Sequence, residues 1–151
     1  MTKKHTFTAT IQNAGGGGAF VRASSLRTGQ GDQPVIPQTN EFSGNTTGIA
    51  TNTANLELGG GVVISGSKFD GVDLDQGTRM RANGIAITNN NGNGIRLTSA
   101  SGVQLNGNGT NNIVTKNTLA GLQCIDAGSH YAGNTSGITD NTAGDVNCLP
   151  F

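Results

Sequence analysis

Bulky side chains are scarce in this chain. It has no tryptophan, one tyrosine and five phenylalanines in 151 residues, which excludes a globular core built around aromatic anchors. Charge is scarce as well: nine Lys and Arg balance nine Asp and Glu. No one-signed field therefore exists to draw in nucleic acid, and none is expected as a partner. No apolar run is long enough to span a bilayer, so no membrane partner is expected either. Behind Lys3 and Lys4 the chain continues as polar, Gly-rich sequence through Gly15–Gly18 rather than as the apolar stretch of a secretory signal. As written, the chain is expected to reside in the cytosol. Two cysteines are too few for a disulfide framework or a zinc site.

What the chain does have is glycine, 25 of them, and order. Ile64–Leu74, Ile87–Leu97, Val114–Cys124 and Ile138–Cys148 overlay without a gap, their starts 23, 27 and 24 residues apart. Each has an aliphatic residue at positions one and nine and a Leu or Cys at position eleven. A low-complexity Asn/Gly tract has no reason to keep such offsets. A repeat of that period marks a solenoid, whose coils each bury their apolar side only against the next.

Each coil is expected to carry three short strands. In the coil from Ile85 they start at Ile85, Gly94 and Gly102, with corners at residues 89–93 and 99–101. Alternation within strands points Val72, Ile95, Leu122 and Val146 inward as one stack and Leu74, Leu97, Cys124 and Cys148 as its neighbour. The glycines at 71, 94 and 121 precede the strand each time, where a sharp corner would call for a positive φ. Asn90, Asn117 and Asn141 coincide, so their amides are expected to bond along the stack. Cys124 and Cys148 fall about 4.8 Å apart, the spacing of neighbouring strands. A disulfide would fit that distance, but two free, buried thiols are expected from the missing signal.

The expected fold is all-β: a right-handed parallel β-helix of four to five coils over residues 41–151. Residues 1–40 are expected to supply N-terminal strands and an irregular linker or cap. At the other end, Pro150 is expected to block strand addition and Phe151 to cover the last apolar layer. Uncovered ends would favour self-association.

The coil pattern over residues 42–149, typified by Ile87–Asn108, resembles the parallel β-helix repeat of the pectate-lyase-like superfamily. That resemblance implies an elongated carbohydrate-facing groove along one sheet and a secreted or cell-surface protein. Its members include polysaccharide lyases and hydrolases, uronate epimerases, phage tailspikes and adhesins. Separately, Phe7–Val21 is similar to the start of a small bacterial β-barrel domain of unknown function, and the likeness stops there.

The outward positions of the best-defined sheet are Asp73, Arg96, Gln123 and Asn147, flanked by Asp70, Asp75 and Asp126. In lyases of the resembled superfamily, acids on such a face hold calcium and an arginine removes a proton from a uronate. Asp70, Asp73 and Asp75 are the corresponding metal candidates, and Asp73, Asp75, Arg96 and Gln123 the ligand-binding ones. The plainer account makes Asp73 and Arg96 a cross-strand ion pair of little energetic weight. His130 and Tyr131 lie in a return loop, where the ring could stack on a sugar and the imidazole act as a base. Ser65, Thr88, Thr115 and Thr139 form a hydroxyl column of the kind that matches ice in solenoid antifreezes. Four or five coils span only about 20–25 Å, a short groove for an enzyme acting on a polymer. The expected function is therefore a non-catalytic β-helix module, carbohydrate-binding or structural, with no required cofactor. A calcium-assisted uronate lyase and an ice-binding solenoid are the alternatives.

Overall fold

A computed structural model of the chain describes residues 10–28, 40–106 and 112–150. They build a parallel β-helix with three sheets and no α-helix. The first coil contains β1 (Thr10–Gln12), β2 (Gly17–Arg22) and β3 (Ser25–Thr28); the second, β4 (Asn40–Ser43), β5 (Thr47–Asn52) and β6 (Asn55–Leu58). The third contains β7 (Val62–Ser65), β8 (Val72–Leu74) and β9 (Arg79–Asn83); the fourth, β10 (Ala86–Thr88), β11 (Ile95–Leu97) and β12 (Gly102–Asn106). The fifth contains β13 (Ile113–Thr115), β14 (Leu122–Cys124) and β15 (His130–Gly133), and β16 (Ile138–Thr139) and β17 (Val146–Asn147) begin another. First strands of successive coils pair with first, second with second and third with third, always in parallel.

The register confirms the stacking expected from position nine. Val72 pairs with Ile95, Ile95 with Leu122 and Leu122 with Val146, and the first three are completely buried. Phe42, Ile64, Ile87, Val114 and Ile138 fill the core from the first sheet, and Leu56, Met80 and Val103 from the third. Aliphatic layers of this kind explain how a chain without large aromatics can fold: each coil supplies a few side chains and relies on its neighbours for the rest.

Glycine at the corner before each second-sheet strand has a different cause from the expected one. Gly71, Gly94 and Gly121 are not among the positive-φ glycines, which are Gly44, Gly61, Gly66, Gly77, Gly84, Gly133 and Gly144. The constraint is space. A Cβ on Gly94 would sit 2.4 Å from Val114 Cγ1, 2.7 Å from the Gly121 carbonyl oxygen and 2.9 Å from Asn117 Nδ2. Gly71 and Gly121 face the same three kinds of neighbour one coil along.

The amides that crowd these glycines form the expected ladder. Asn90 donates from Nδ2 to Asn117 Oδ1 at 2.9 Å, and Asn117 from Nδ2 to Asn141 Oδ1 at 2.9 Å, while the backbone N–H of each donates to the same oxygen. Asn141 then donates from N and Nδ2 to Asp145 Oδ1, both at 3.1 Å. Buried amides so arranged leave few polar groups unsatisfied. Asn45 sits fully buried at the same corner in an earlier coil, and between it and Asn90 the position is held by Ser67, whose buried hydroxyl has no partner. Gly48 beside it already leaves the corner bare. Ser67→Asn should therefore join Asn45 to Asn90 and stabilise by about 1 kcal/mol, one net hydrogen bond, read as a melting temperature a few degrees above the parent. A lower melting temperature would show that the serine is there for lack of room.

The N-terminal end differs from expectation. Residues 10–28 are a coil of the helix rather than a cap, since β1, β2 and β3 pair in register with β4, β5 and β6. The segment likened to a barrel opening is thus parallel solenoid from Thr10 onward, and Ser25–Thr28 is strand where a linker was expected. Residues 29–39, the rest of that linker, lie outside the described residues. At the other end Pro150 forms a bridge with Tyr131, extending the third sheet. Leu149 is 75 % exposed. Phe151 lies outside the described residues.

Cys124 and Cys148 are joined as a disulfide, not held as free thiols. Stacking in adjacent coils puts their Cα atoms 4.8 Å apart, within the range that a disulfide spans without moving the backbone.

Candidate functional site

The second sheet places Asp73, Arg96, Gln123 and Asn147 on one outer row, in register across β8, β11, β14 and β17. Their groups are already engaged with one another. Arg96 Nη1 lies 3.1 Å from Asp73 Oδ1, with side chains 34 % and 28 % exposed. Gln123 donates from Nε2 to the Cys124 carbonyl at 2.9 Å, and Asn147 donates to Gln123 Oε1 at 3.3 Å. The flanking acids act as corner acceptors. Asp70 Oδ1 accepts from Asn93 N and Nδ2 at 2.7 and 2.8 Å. Asp75 Oδ1 accepts from Thr98 Oγ1 at 2.7 Å and from Gln76 N at 2.8 Å, and Asp126 accepts from Ser129, Gly128 and Ala100. Among the described residues no three of His, Cys, Asp and Glu come together as a ligand set, so Asp70, Asp73 and Asp75 follow one another in sequence without converging on one point.

Burial raises the pKa of Asp73 against the pull of Arg96, and the charges of Asp70 and Asp75 add to the rise. The hydrogen bonds from Thr98 and Ser99 hold Asp75 below its ordinary value. The signs follow from linkage. Asp73, raised in the folded state, favours folding when protonated and loses that contribution as pH rises through its folded pKa; Asp75 contributes stability at neutral pH that is lost in acid. Asp73→Asn should accordingly melt no lower than the parent at pH 7, and the difference between the two should shrink in acid, where the parent's carboxyl is also neutral. A clear drop at pH 7 would mean that the Arg96 pair outweighs the desolvation of Asp73.

An open groove of about 400 Å³ runs over the third sheet. Its walls come from two outward rows, Asn55–Arg79–Gly102–His130 and Glu57–Arg81–Gln104–Ala132, in register across β6, β9, β12 and β15. Leu56, Met80 and Val103 alternate inward between them. Arg27 on β3 holds Glu57 at 2.7 Å. Arg81 donates from Nε to Gln104 Oε1 at 3.1 Å, and Arg79 from Nη1 to the Ala100 carbonyl at 2.8 Å. His130 Nδ1 lies 3.3 Å from the Gly128 carbonyl oxygen. Gly102 is buried, with His130 and Arg79 packed over it.

His130, singled out in the sequence, lines this groove. Tyr131 does not: its side chain points inward in register with Val103 and packs against the core, so its ring is no sugar platform. Arg79, Arg81, Gln104 and Glu57 were missed because outward positions repeat no residue type from coil to coil. Polar–apolar–polar triplets at Asn55–Glu57 and Arg79–Arg81 were the signal available. The hydroxyl column is real: Ser43, Ser65, Thr88, Thr115 and Thr139 are in register on the first sheet, beside Glu41, Val63, Ala86 and Ile113. It is one residue wide, and its neighbour is a charged and aliphatic row. No family model matches the chain, and no curated protein or solved structure matches it.

Proposed function

We propose that the chain is a non-catalytic carbohydrate-binding β-helix and that the third sheet is its binding face. The observation that carries this reading is the groove itself, a mostly apolar trough bordered by guanidinium, amide, imidazole and carboxylate groups. Sugars offer donors and acceptors at every ring, and such mixed groups match them. Successive strands lie about 4.8 Å apart, comparable to the length of one pyranose, so a glycan laid along the helix axis would meet a fresh row of side chains at each ring. A kinship with the pectate-lyase-like superfamily agrees with this role and rests on the coil pattern alone.

The lyase alternative calls for an arginine free to take a proton and acids free to share a cation. Arg96 is instead held by Asp73, and the flanking acids accept from corner groups. The disulfide suits an oxidising compartment, which favours a secreted or surface setting over the cytosol.

Glycan binding should be measured by calorimetry for the parent, for an Arg81→Ala, Gln104→Ala double variant and for Arg96→Ala. Arg81 and Gln104 are exposed, so their loss should leave the fold intact, and a melting curve checks the same for Arg96→Ala, whose partner Asp73 is half-buried. The double variant is expected to lose most binding and Arg96→Ala to keep it. The opposite pattern would return the site to the second sheet, and a parent that binds no glycan would leave a structural spacer.

A further inference from the structure

We infer that the groove takes a glycan carrying a tetrahedral oxyanion, a sulfate or phosphate ester, and that Arg79 and Arg81 bind that group. The inference rests on the glycan-binding reading of the groove. Its basis is a charge imbalance. The carboxylate of the two rows, Glu57, is held at 2.7 Å by Arg27. Arg79 and Arg81 are oriented by neutral oxygens, the Ala100 carbonyl and the Gln104 amide, and neither forms an ion pair among the described residues. Neutral partners fix a guanidinium in place without cancelling its charge, so the groove holds two positioned cations and is complementary to an anion.

Gly102 brings Arg79 and His130 together. It is in register with Arg79 on one side and His130 on the other, and a Cβ there would lie 3.0 Å from His130 Nε2 and 3.4 Å from Arg79 Nη1. Both side chains thus close over Gly102, which is buried beneath them, with exposed Arg81 two residues along the strand from Arg79 on the same outward face. Nitrogens approaching from different strands suit a tetrahedral oxyanion better than a planar carboxylate, which a single guanidinium fork can satisfy.

The test is calorimetry with four oligosaccharides of one backbone, neutral, uronate-bearing, sulfated and phosphorylated, with inorganic sulfate and phosphate as competitors. The sulfated or phosphorylated form should bind on the order of tenfold tighter than the neutral one, as one charge-assisted contact allows. That advantage should shrink with added salt, and the matching inorganic ion should compete; the tighter of the two esters identifies the group. Arg79→Gln should remove the preference, and Gly102→Ala, which keeps every charge but displaces His130 and Arg79 from over that residue, should weaken it. Melting curves of both variants establish that they are folded, and Arg79→Lys, with the charge but not the fork, should fall between. Equal affinity for uronate and ester overturns the tetrahedral assignment. Equal affinity for neutral and anionic forms overturns the inference while leaving glycan binding in place. Binding of none of the four overturns both.

Discussion

A Gly94→Ala variant is expected to lose about 3 kcal/mol or more of stability, the upper range for forcing a methyl into a packed interior, and to melt roughly 10 °C below the parent. The added Cβ would meet Val114 Cγ1, the Gly121 carbonyl and the Asn117 amide, all within 3 Å. Two of these cannot move independently. The carbonyl accepts the backbone N–H of Ile95 at 2.9 Å, and the amide belongs to the buried ladder. Gly60→Ala is the control, because no atom lies within 4 Å of its added Cβ and its φ is ordinary; that variant should melt within about a degree of the parent. Gly94→Asn separates the two explanations for the corner glycines. Asparagine tolerates a left-handed backbone and would be accepted if φ were the constraint, whereas the crowding described here makes it worse than alanine. If Gly94→Asn melts like the parent, the steric account is wrong.

Replacing Cys124 and Cys148 together by alanine should cost about 3 kcal/mol, the loop-closure value for a cross-link spanning 24 residues. The reason lies in what the bond ties down. Its second half sits in the short last pairing, where β17 contributes two residues, Val146 and Asn147, to the second sheet. One residue past Cys148, the Leu149 carbonyl accepts from Tyr131 N at 3.4 Å. Tyr131 lies in β15, the strand that carries His130 into the groove. Loss of the cross-link should therefore loosen the C-terminal end of the third sheet as well as lower the melting temperature. Hydrogen exchange would show this as faster exchange at Tyr131 and Leu122 than at Ile95. Equal melting of the oxidised parent and the double variant would leave the disulfide without a structural role.

How much of this was legible in the sequence depended on whether a position repeats. Ile64, Ile87, Val114 and Ile138 announce themselves because burial admits only aliphatic residues there, and Asn90, Asn117 and Asn141 because only an amide can both accept from one coil and donate to the next. The coil of Thr10–Thr28 was not legible. Its strands are the right length, but Gly15–Gly18 and the segment 29–39 break the period that would have tied them to β4, β5 and β6. The cause of the corner glycines was hidden because their neighbours belong to the following coil, 16 to 27 residues away in sequence. The groove stayed hidden because solvent-facing residues are free to differ: Asn55, Arg79, Gly102 and His130 share a row and no chemistry. The cysteine pair was placed correctly and its oxidation state missed, since compartment, not geometry, had decided the expectation.

The amide ladder also has a direction. One N–H of each side-chain amide points toward the next coil and its carbonyl oxygen toward the previous one, while Asn117 and Asn141 also donate back to the Ile87 and Val114 carbonyls. The C=O groups all face one way, so their dipoles add along the solenoid axis as peptide dipoles add along a helix. The partially positive end of that column falls at Asn141, and the group waiting there is the carboxylate of Asp145. A carboxylate accepts and does not donate; the ladder can therefore be read in one sense only and is closed by one residue. Asp145 is to this column what an acidic cap is to a helix N-terminus, and the coils below it are held in a polarised row whose final charge is of the sign the row demands.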